Sequence, residues 1–456
     1  NGPQTYHTAS RGRGTIGPLK LYYNIDPVLG RVLSNAAVLL GGRVANAVMG
    51  LAAIALTARA LGLTSFGVLI LIHAFAQFLG ETVKFQSWQT VLHYGARPLA
   101  EGRPADFGKV LRFTLALDAI GAIVGVAVGL IATLAFGDRL GLSPEHRPAA
   151  ALYVLSVAFM VSATPMGLLR LLDRFDVLAR QTALVALVRL IGCGIGFVTA
   201  ASMPVFLIFW AAGVVAGFVY IAWAAWSELK ARGLLSGLTW RGGPLTEGMP
   251  GAWRFAWSTN LSATVDVAFT HVITLALGAL VGPAQAALWR IGRQVADAIA
   301  KPARLLTASL YPELARLHAG EGGQAGMWRL ARVIGLLAGV LGVALMGLTL
   351  GGGEWLLRIT MGPQFTQAAT LMTWQVGAAV IGLVALPFEP MLVSLGRAGT
   401  ALWVRLLVCV AYLALLGPVV TRYGALGAAV ALVIASALMA LGMFVCVFYN
   451  RRNHPQ

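Results

Sequence analysis

The stretch "AEGRPADFGKVLR", Ala100 to Arg112, aligns with "GEGGQAGMWRLAR", Gly320 to Arg332, when the chain is shifted against itself by 220 residues. Glu101 then coincides with Glu321, and two basic residues near the end of the first stretch coincide with arginines in the second. The shift needs no gap over about 50 residues, and it also aligns the boundaries of apolar segments. The chain is therefore predicted to contain two similar halves.

The composition predicts that both halves lie in a membrane. Of the 456 residues, 58% are hydrophobic and 11% are charged, with a mean hydropathy of +0.78, which leaves too few charges to cover a soluble protein. Apolar runs of about 18 residues or more are candidate membrane spans, and such runs recur along the whole chain. The predicted fold class is all-α integral membrane, with about twelve transmembrane helices in two six-helix lobes. Because 220 residues hold an even number of spans, the pseudo-twofold axis runs along the membrane normal.

The domain boundaries follow from the longest polar connection. The segment "ELKARGLLSGLTWRGGPLTEGMPG", residues 228–251, is rich in Gly and Pro and reads as a cytoplasmic linker between the lobes. We predict a cytoplasmic N-terminal arm in 1–30, spans one to six in 31–227, spans seven to twelve in 252–450, and a cytoplasmic tail in 451–456.

The basic residues predict the orientation. With the N-terminus in the cytoplasm, 22 Lys and Arg fall in cytoplasmic segments and 4 in outer loops, which is the asymmetry of the positive-inside rule. Both termini are then expected to be cytoplasmic. The net charge of +17 therefore reports topology, and it does not indicate a nucleic-acid partner.

Two polar stripes lie inside apolar spans. The stretch "RIGRQVADAIAKPAR", Arg290 to Arg304, interrupts span eight, and a shift of 220 residues places four of its positions on polar residues of span two. The first stripe comprises Arg290, Arg293, Asp297, Lys301 and Arg304; the second comprises His73, Gln77, Glu81 and Lys84. Spacings of three and four residues put the members of each stripe on one helical face.

The energetics of the membrane limit where these stripes point. A Lys or Arg at the bilayer centre costs about 2.5–3.5 kcal/mol even on the lenient insertion scale, so the stripes are expected to face protein or water. We expect them to face each other across a wet, positively charged central cavity that binds an anion. The alternative is structural: Glu81 with Lys84, or Arg293 with Asp297, form ion pairs at helical spacing, and Lys84 and Arg304 reach the interface.

Further polar residues inside spans extend the candidate site. Arg43 is the deepest cation of the first half and is predicted to bind an anion; Asn46 coincides with Asp266 under the 220-residue shift. The candidates for a coupling cation or proton are Asp266, Asp297, Glu81 and Glu389, the last lying between Pro387 and Pro390, which break helices. The sequence leaves open whether Asp118 and Arg189 form a pair or lie apart.

The sequence offers no cofactor site. The three cysteines form no CxxC motif, and we find no metal cluster, Walker loop or Ser/His/Asp arrangement in a polar region. The outer loops are too short to hold a catalytic domain, and the protein is therefore predicted not to be an enzyme.

The stretch "LTARALGLTSFGVL", Leu56 to Leu69, resembles the start of Wzx-type lipid-linked oligosaccharide flippases of the multidrug/oligosaccharidyl-lipid/polysaccharide exporter superfamily. The matching features are an R-x-LG turn and a following Phe-Gly, here Arg59, Leu61, Gly62, Phe66 and Gly67. The "GRP-x-x-F" loop that begins at Gly102 and the twelve-span plan also fit.

The resemblance implies a function, and two alternatives stay open. The implied substrate is an undecaprenyl-diphosphate-linked oligosaccharide, flipped by alternating access for lipopolysaccharide O-antigen, capsule or exopolysaccharide synthesis, with H+ or Na+ as a coupling ion. Implied partners are membrane lipids, a polysaccharide polymerase and a chain-length regulator. The alternatives are a cation-coupled drug or metabolite exporter of the same superfamily and a non-transporting scaffold of a polysaccharide assembly complex.

Overall fold

The computed structural model describes residues 27–237, 243–297, 323–395 and 397–453. Side chains are described in residues 45–236, 243–261, 271–297, 326–395 and 399–449, and at Arg397. The chain divides into two compact units, Asn1–Ala45 and Asn46–Gln456. Within the first unit the described residues form the beginning of helix α1, and all other described elements belong to the second unit.

The described residues are helical, with short 3-10 turns and no strand. The helices are α1 (Pro27–Val83), α2 (Ser87–Ala100), α3 (Pro104–Phe136), α4 (Arg147–Val154), α5 (Val157–Met160), α6 (Ala163–Leu171), α7 (Phe175–Val198), α8 (Met203–Ala231), α9 (Ala252–Val281), α10 (residues 283–297), α11 (Gly323–Thr360), α12 (Ala368–Ala385), α13 (Phe388–Ser394) and α14 (Ala398–Asn453).

Two of these helices contain a glycine that turns the chain between two spans. The backbone of Gly62 in α1 has φ 73°, and that of Gly424 in α14 has φ 63°. Only glycine adopts such a backbone without steric cost, so each long helix is two helices joined by one residue. α1 therefore holds the first two spans, and α14 holds the last two.

The span count agrees with the sequence. Among the described residues, eight helical stretches are long and apolar enough to cross a membrane, and the stretches 45–100 and 399–449 are the two that contain the glycine turns. The helices α9 and α10 follow in the order of the chain between the sixth and ninth spans, so the described helices account for each of the twelve predicted spans, the eighth by its described residues 283–297. In the most apolar segment of α11, and likewise in that of α14, only 11% of the residues are buried within the protein. This low burial is expected of helices that present their Leu and Val side chains to lipid. The predicted all-α membrane fold with two six-helix lobes is confirmed.

Spans four and ten are each interrupted. The fourth consists of α4, α5 and α6, and the tenth consists of α12 and α13, with Leu386 and Pro387 between them. The predicted helix break at the proline pair is confirmed. The interruption of the fourth span, at residues 155–156 and 161–162, involves no proline, and the sequence pattern did not indicate it.

Glycines on one face of α3 let its neighbours approach closely. A Cβ atom at Gly121 would lie 2.4 Å from the carbonyl oxygen of Val83, and one at Gly129 would lie 2.5 Å from a methyl group of Val154. These distances are shorter than van der Waals contact, so only glycine fits. The spacing of small residues indicates this kind of helix packing in membranes.

The two ends of the helix bundle differ in charge. We call the end with the described connecting residues 101–103, 172–174, 232–237, 243–251, 395 and 397 the charged face, and the end with the turns at Gly62, 137–146, 199–202, Gly282, 361–367 and Gly424 the opposite face. The predicted orientation places the charged face in the cytoplasm.

The linker packs on the charged face. Glu247 pairs with Lys109 of α3 at 3.0 Å, and the backbone carbonyl of Pro250 accepts a hydrogen bond from Tyr94 of α2 at 3.0 Å. At the start of α9, Phe255 stacks on His93 with ring centroids 4.7 Å apart. The end of the predicted linker is therefore held against α2 and α3.

Candidate functional site

Polar contacts join the two lobes at the opposite face. Arg59, at the end of span one, donates a hydrogen bond to the carbonyl oxygen of Ile359, near the end of span nine. The backbone N–H of Leu63 donates to Oε1 of Gln364 at 3.4 Å. Both contacts link the turn after the first span to the turn after the ninth.

Apolar contacts complete this opposite-face seal. The rings of Phe66 and Phe365 meet edge to face with centroids 5.8 Å apart, and both side chains are fully buried. One residue further on, Gly67 packs directly on the backbone of Pro283, where a Cβ atom would lie 2.3 Å from the carbonyl oxygen. The lobes are thus closed against each other on this side of the membrane.

A buried aromatic and basic group lies in the first lobe, in the interior of the bundle. Nδ1 of His73 is hydrogen-bonded to the hydroxyl of Tyr153 at 2.8 Å, and the imidazole meets the ring of Trp210 edge to face at 4.7 Å. The guanidinium of Arg189 lies over the same indole, 4.6 Å from its centroid. These residues come from α1, α4, α8 and α7, so four helices of the first lobe build the group.

Basic residues of the second lobe approach the same group. Arg290 on α10 and His271 on α9 lie within electrostatic range of His73, and Arg290 is also within range of Arg189. We call His73, Tyr153, Arg189, Trp210, His271 and Arg290 the central cluster. Counted along the helices at about 1.5 Å per residue, its members lie roughly 10–17 Å from the opposite face. That depth is close to the middle of a hydrocarbon core about 30 Å thick.

The arginines of the central cluster form no direct ion pair with a described carboxylate, although Asp297 lies within electrostatic range of Arg290. Among the described residues, neither Arg189 nor Arg290 forms an ion pair, and Nε of Arg189 is buried with no hydrogen-bond partner. Uncompensated arginines in the membrane interior are costly and mark ion or substrate pathways. The arrangement suits a negatively charged ligand bound between the lobes.

A second polar site lies inside the other lobe. Nε of Arg293 pairs with Oδ1 of Asp297 at 3.1 Å, and both side chains line a cavity of about 270 Å³. The remaining wall comes from α12 and the second half of α14, including Gly382, Leu386 and Ser436. This lobe cavity lies closer to the charged face than Arg290 does, because α10 runs away from the opposite face.

The structure changes the predicted arrangement of the stripes. The two stripes were expected to face each other along their length, but several described members contact helices of their own lobes: His73 contacts α4 and α8, and Arg293 with Asp297 lines the cavity beside α12 and α14. The stripes approach each other at His73 and Arg290, which lie within electrostatic range across the lobes.

The structural alternative applies to two predicted pairs. Nζ of Lys84 lies 3.4 Å from Oε1 of Glu81, as a pair at helical spacing, and Arg293 pairs with Asp297 as described. Gln77 is half-buried, and Asn46 is half-buried with Oδ1 lacking a partner. Glu389 is exposed on α13.

Four predicted site residues lie outside the described side chains: Arg43, Asp266, Lys301 and Arg304. Their assignments stay predictions.

Comparisons with known proteins identify the family. No family model matches the chain. The inner membrane protein YghQ of Escherichia coli (strain K12) is 32% identical over 348 residues, which cover 76% of this chain and 97% of that protein.

The chain belongs to the YghQ family.

Solved structures share the fold of this YghQ family member. An inward-facing multidrug resistance MATE family transporter of the MOP superfamily superposes with a TM-score of 0.70 at 14% identity, covering 89% of this chain and 94% of the other. The lipid II flippase MurJ in an inward closed conformation gives 0.68 at 12% identity, with 90% and 87% covered. The Vibrio cholerae MATE transporter VcmN gives 0.57 at 13% identity, with 91% and 95% covered. The fold is therefore that of MOP-superfamily transporters.

Asp118 and Arg189 occupy separate places in this YghQ family member. Oδ2 of Asp118 accepts a hydrogen bond from the backbone N–H of Thr164 at 2.7 Å, at the first turn of α6. The hydroxyl groups of Thr164 and Ser87 lie beside this carboxylate without reaching hydrogen-bond geometry. Asp118 thus caps the helix after the interruption in span four, whereas Arg189 belongs to the central cluster.

Sequence reasoning missed two members of the central cluster. Tyr153 and Trp210 are 2% and 1% exposed and look like ordinary core residues. No periodic pattern distinguishes an aromatic side chain that positions a histidine or an arginine from one that only packs. Arg189 did give a signal, because a lone arginine in an apolar span indicates a functional site.

Outside the spans, ion pairs order the loop between α2 and α3. Glu101 accepts from Arg97 at 2.7 Å and from Arg103 at 2.6 Å, and Arg103 also pairs with Asp106 at 2.7 Å. The hydrogen bonds from Arg97 and Arg103 hold the pKa of Glu101 below its usual value. These groups are exposed, so each pair stabilises the loop only weakly.

Proposed function

We propose that this protein moves an undecaprenyl-diphosphate-linked oligosaccharide across the bacterial cytoplasmic membrane by alternating access. Both termini lie in the cytoplasm, and the charged face receives the substrate from the inner leaflet. The oligosaccharide serves the synthesis of a surface polysaccharide: O-antigen, capsule or exopolysaccharide. A polymerase and a chain-length regulator act on the product.

The observation that carries the proposal is the pair Arg189 and Arg290 in the central cluster. They come from different lobes, lie near the middle of the membrane and form no ion pair with a described carboxylate; Asp297, within electrostatic range of Arg290, pairs with Arg293. A diphosphate presents several anionic oxygens, and the planar guanidinium binds such groups through two parallel hydrogen bonds. A ligand of this kind supplies the direct anionic partner that the two arginines lack among the described residues.

The opposite-face seal supports alternating access. Arg59, Phe66 and Gly67 hold the first lobe against the second on one side of the membrane. A carrier that is closed on one side exposes its site to the other, and rocking of the two lobes exchanges these states. The shared fold with an inward-facing MATE transporter and with MurJ agrees with this mechanism.

The positive cluster disfavours a site for cationic drugs. A cation placed beside Arg189 and Arg290 would add a third like charge in a region of low dielectric constant, where repulsion is strong. The exporter alternative therefore predicts binding of organic cations, and the flippase proposal predicts binding of isoprenyl diphosphates.

Ligand binding by the purified full-length protein tests the proposal. We expect undecaprenyl diphosphate to bind more tightly than undecaprenol, and Arg290→Gln and Arg189→Gln each to weaken binding about tenfold or more, since a hydrogen bond to a charged group contributes roughly 1.5–3 kcal/mol. Arg180→Gln is the matched control, because Arg180 is 70% exposed near the start of α7.

The same variants are tested in cells of a strain that depends on this protein for a surface polysaccharide. We expect Arg290→Gln and Arg189→Gln to reduce the polymer at normal protein levels, and Arg180→Gln to leave it unchanged. Equal binding by all variants, or tighter binding of an organic cation than of the diphosphate, would contradict the proposal. Normal polymer with either central variant would favour the scaffold alternative.

A further inference from the structure

We infer that Asp297 takes up a proton when an anion binds beside Arg290, because the anion withdraws Arg293 from its ion pair with Asp297. The inference rests on the proposed function, which supplies the anion. It assigns the coupling between substrate and proton to one pair of residues on α10.

The geometry of α10 places the pair next to the proposed anion site. Arg290 and Arg293 are three residues apart on one helix and lie within electrostatic range of each other. Arg293 and Asp297 are 29% and 23% exposed, so the pair borders the lobe cavity and is not locked in a packed core. A side chain of this length moves between a carboxylate on one side and an anion near Arg290 on the other.

Apart from Arg293, the described cation within electrostatic range of Asp297 is Arg290, which lies beside the proposed anion. The lobe-cavity wall from α12 and the residue that follows it consists of Ala, Gly and Leu residues, and the wall from α14 contributes Leu432 and Ser436. Among the described residues, Tyr412 on α14 is a further titratable group near the pair and lies within range of Arg293; Lys301, four residues after Asp297, lies outside the described residues. Arg189, His271 and His73 lie around Arg290 from the helices on its other side.

The charge balance then favours proton uptake. Before binding, Arg293 and Asp297 neutralise each other. Once a diphosphate binds Arg290 and Arg293, both described cations near Asp297 are engaged by the ligand. An ionised carboxylate beside a negatively charged ligand in the membrane interior is costly. A proton from water on the carboxyl oxygen removes that charge. By linkage, protonation of Asp297 strengthens anion binding by the same factor as anion binding favours protonation.

The internal repeat places this proton site in one lobe. Under the 220-residue shift, Arg293 and Asp297 coincide with His73 and Gln77, which carry no carboxylate. His73 is held by Tyr153 and Trp210 in the structure. The positions equivalent to the pair therefore lack a carboxylate in the first lobe, and the proposed proton site belongs to α10.

Isothermal titration of the full-length protein with farnesyl diphosphate tests the inference. Titrations in two buffers of different ionisation enthalpy give the number of protons taken up per ligand bound. We expect wild type to take up about one proton more than Asp297→Asn, and the Asn variant to bind more tightly at neutral pH. On acidification, the affinity of wild type should rise more steeply than that of the variant. The difference should be at most about tenfold per pH unit, as one linked proton requires. Protonation of the ligand itself is common to both proteins and cancels.

Asp106→Asn is the matched control, since Asp106 also pairs with an arginine, at 2.7 Å, but lies at the charged face. This control should take up as many protons as wild type. Equal proton numbers for wild type and Asp297→Asn, with both proteins binding the ligand, would overturn the inference and leave the proposed function standing. If neither wild type nor variant binds, the proposed function fails. If Asp297→Asn does not fold, the wild-type protein alone decides the test. A number of protons taken up per ligand that is no greater than the number taken up by the ligand's own phosphates would overturn the inference.

Discussion

Replacing Gly67 by alanine tests whether the opposite-face seal controls the conformation of the protein. A Cβ atom at this position would lie 2.3 Å from the carbonyl oxygen of Pro283 and 2.5 Å from its carbonyl carbon, whereas ordinary contact begins at 3.4 Å. The clash involves backbone atoms on both sides and no flexible side chain gives way. The second half of α1 and the start of α10 must therefore separate by about 1 Å.

The expected effect is a shift of the equilibrium towards states that are open at the opposite face. Inserting a methyl group into a packed contact costs about 1–3 kcal/mol, and here the cost falls on the closed state alone. The population ratio of the two states should change by roughly 5–150-fold. The helix propensity gained on replacing glycine, about 1 kcal/mol, is common to both states and does not shift the ratio.

Distances between spin labels across the opposite face measure this shift. Ser143→Cys and Gln367→Cys place labels at exposed sites in the turns of different lobes. The background lacks the three native cysteines, Cys193, Cys409 and Cys446. We expect Gly67→Ala to add a population at longer distance, and Gly67→Val to enlarge it.

A matched glycine variant separates the clash from a general effect of alanine. Gly347 lies within α11, and a Cβ atom there would meet nothing within 4 Å. Gly347→Ala should give the wild-type distance distribution. If Gly67→Ala also gives the wild-type distribution, the contact between Gly67 and Pro283 does not hold the seal, and the reasoning is refuted.

Three further variants test the packing of the first lobe and of the seal. Gly121→Ala would place a Cβ atom 2.4 Å from the carbonyl oxygen of Val83, and we expect a lower melting temperature in detergent, from a loss of about 1–3 kcal/mol. Asp118→Ala removes the acceptor for the N–H of Thr164; we expect a loss of about 1–3 kcal/mol by the same measurement, with Asp118→Asn retaining part of the stability. Arg59→Ala should move the spin-label distances in the same direction as Gly67→Ala, by about tenfold or less in population ratio, since one hydrogen bond is lost. Unchanged melting temperatures or distances would contradict these contacts.

The fold could be predicted because it depends on composition and period. A membrane interior requires helices about 20 residues long with satisfied backbone groups, so apolar runs report spans directly. The turn between the first two spans was also predictable, because Arg59 and Gly62 mark it in the R-x-LG motif. The sequence did not indicate how short the turn is: Gly62 alone, with φ 73°, joins the two helices.

The candidate site could be predicted only in part, because periodicity identifies a helical face but not the neighbour that faces it. Arg290 and Arg293 share a stripe, yet three residues on a helix are about 60° apart in direction. That angle places Arg290 within electrostatic range of Arg189 in the other lobe, and it places Arg293 on the wall of the lobe cavity. The neighbour that decides each role, such as Tyr153 for His73, lies tens of residues away in sequence.

Under the proposed function, the origin of Arg189 and Arg290 in different lobes connects an anionic ligand to the motion of the lobes. Two like charges within electrostatic range repel each other, and in the membrane interior this repulsion is stronger than in water. In the unliganded protein the central cluster therefore works against the approach of the lobes, and the contacts of Arg59, Phe66 and Gly67 at the opposite face oppose it. A bound anion reverses the sign of the interaction, because each arginine is attracted to the ligand that lies between them. Binding then changes the relative energies of the open and closed states by the differential contact that population-shift mechanisms require, and a neutral lipid of the same shape would not produce this change.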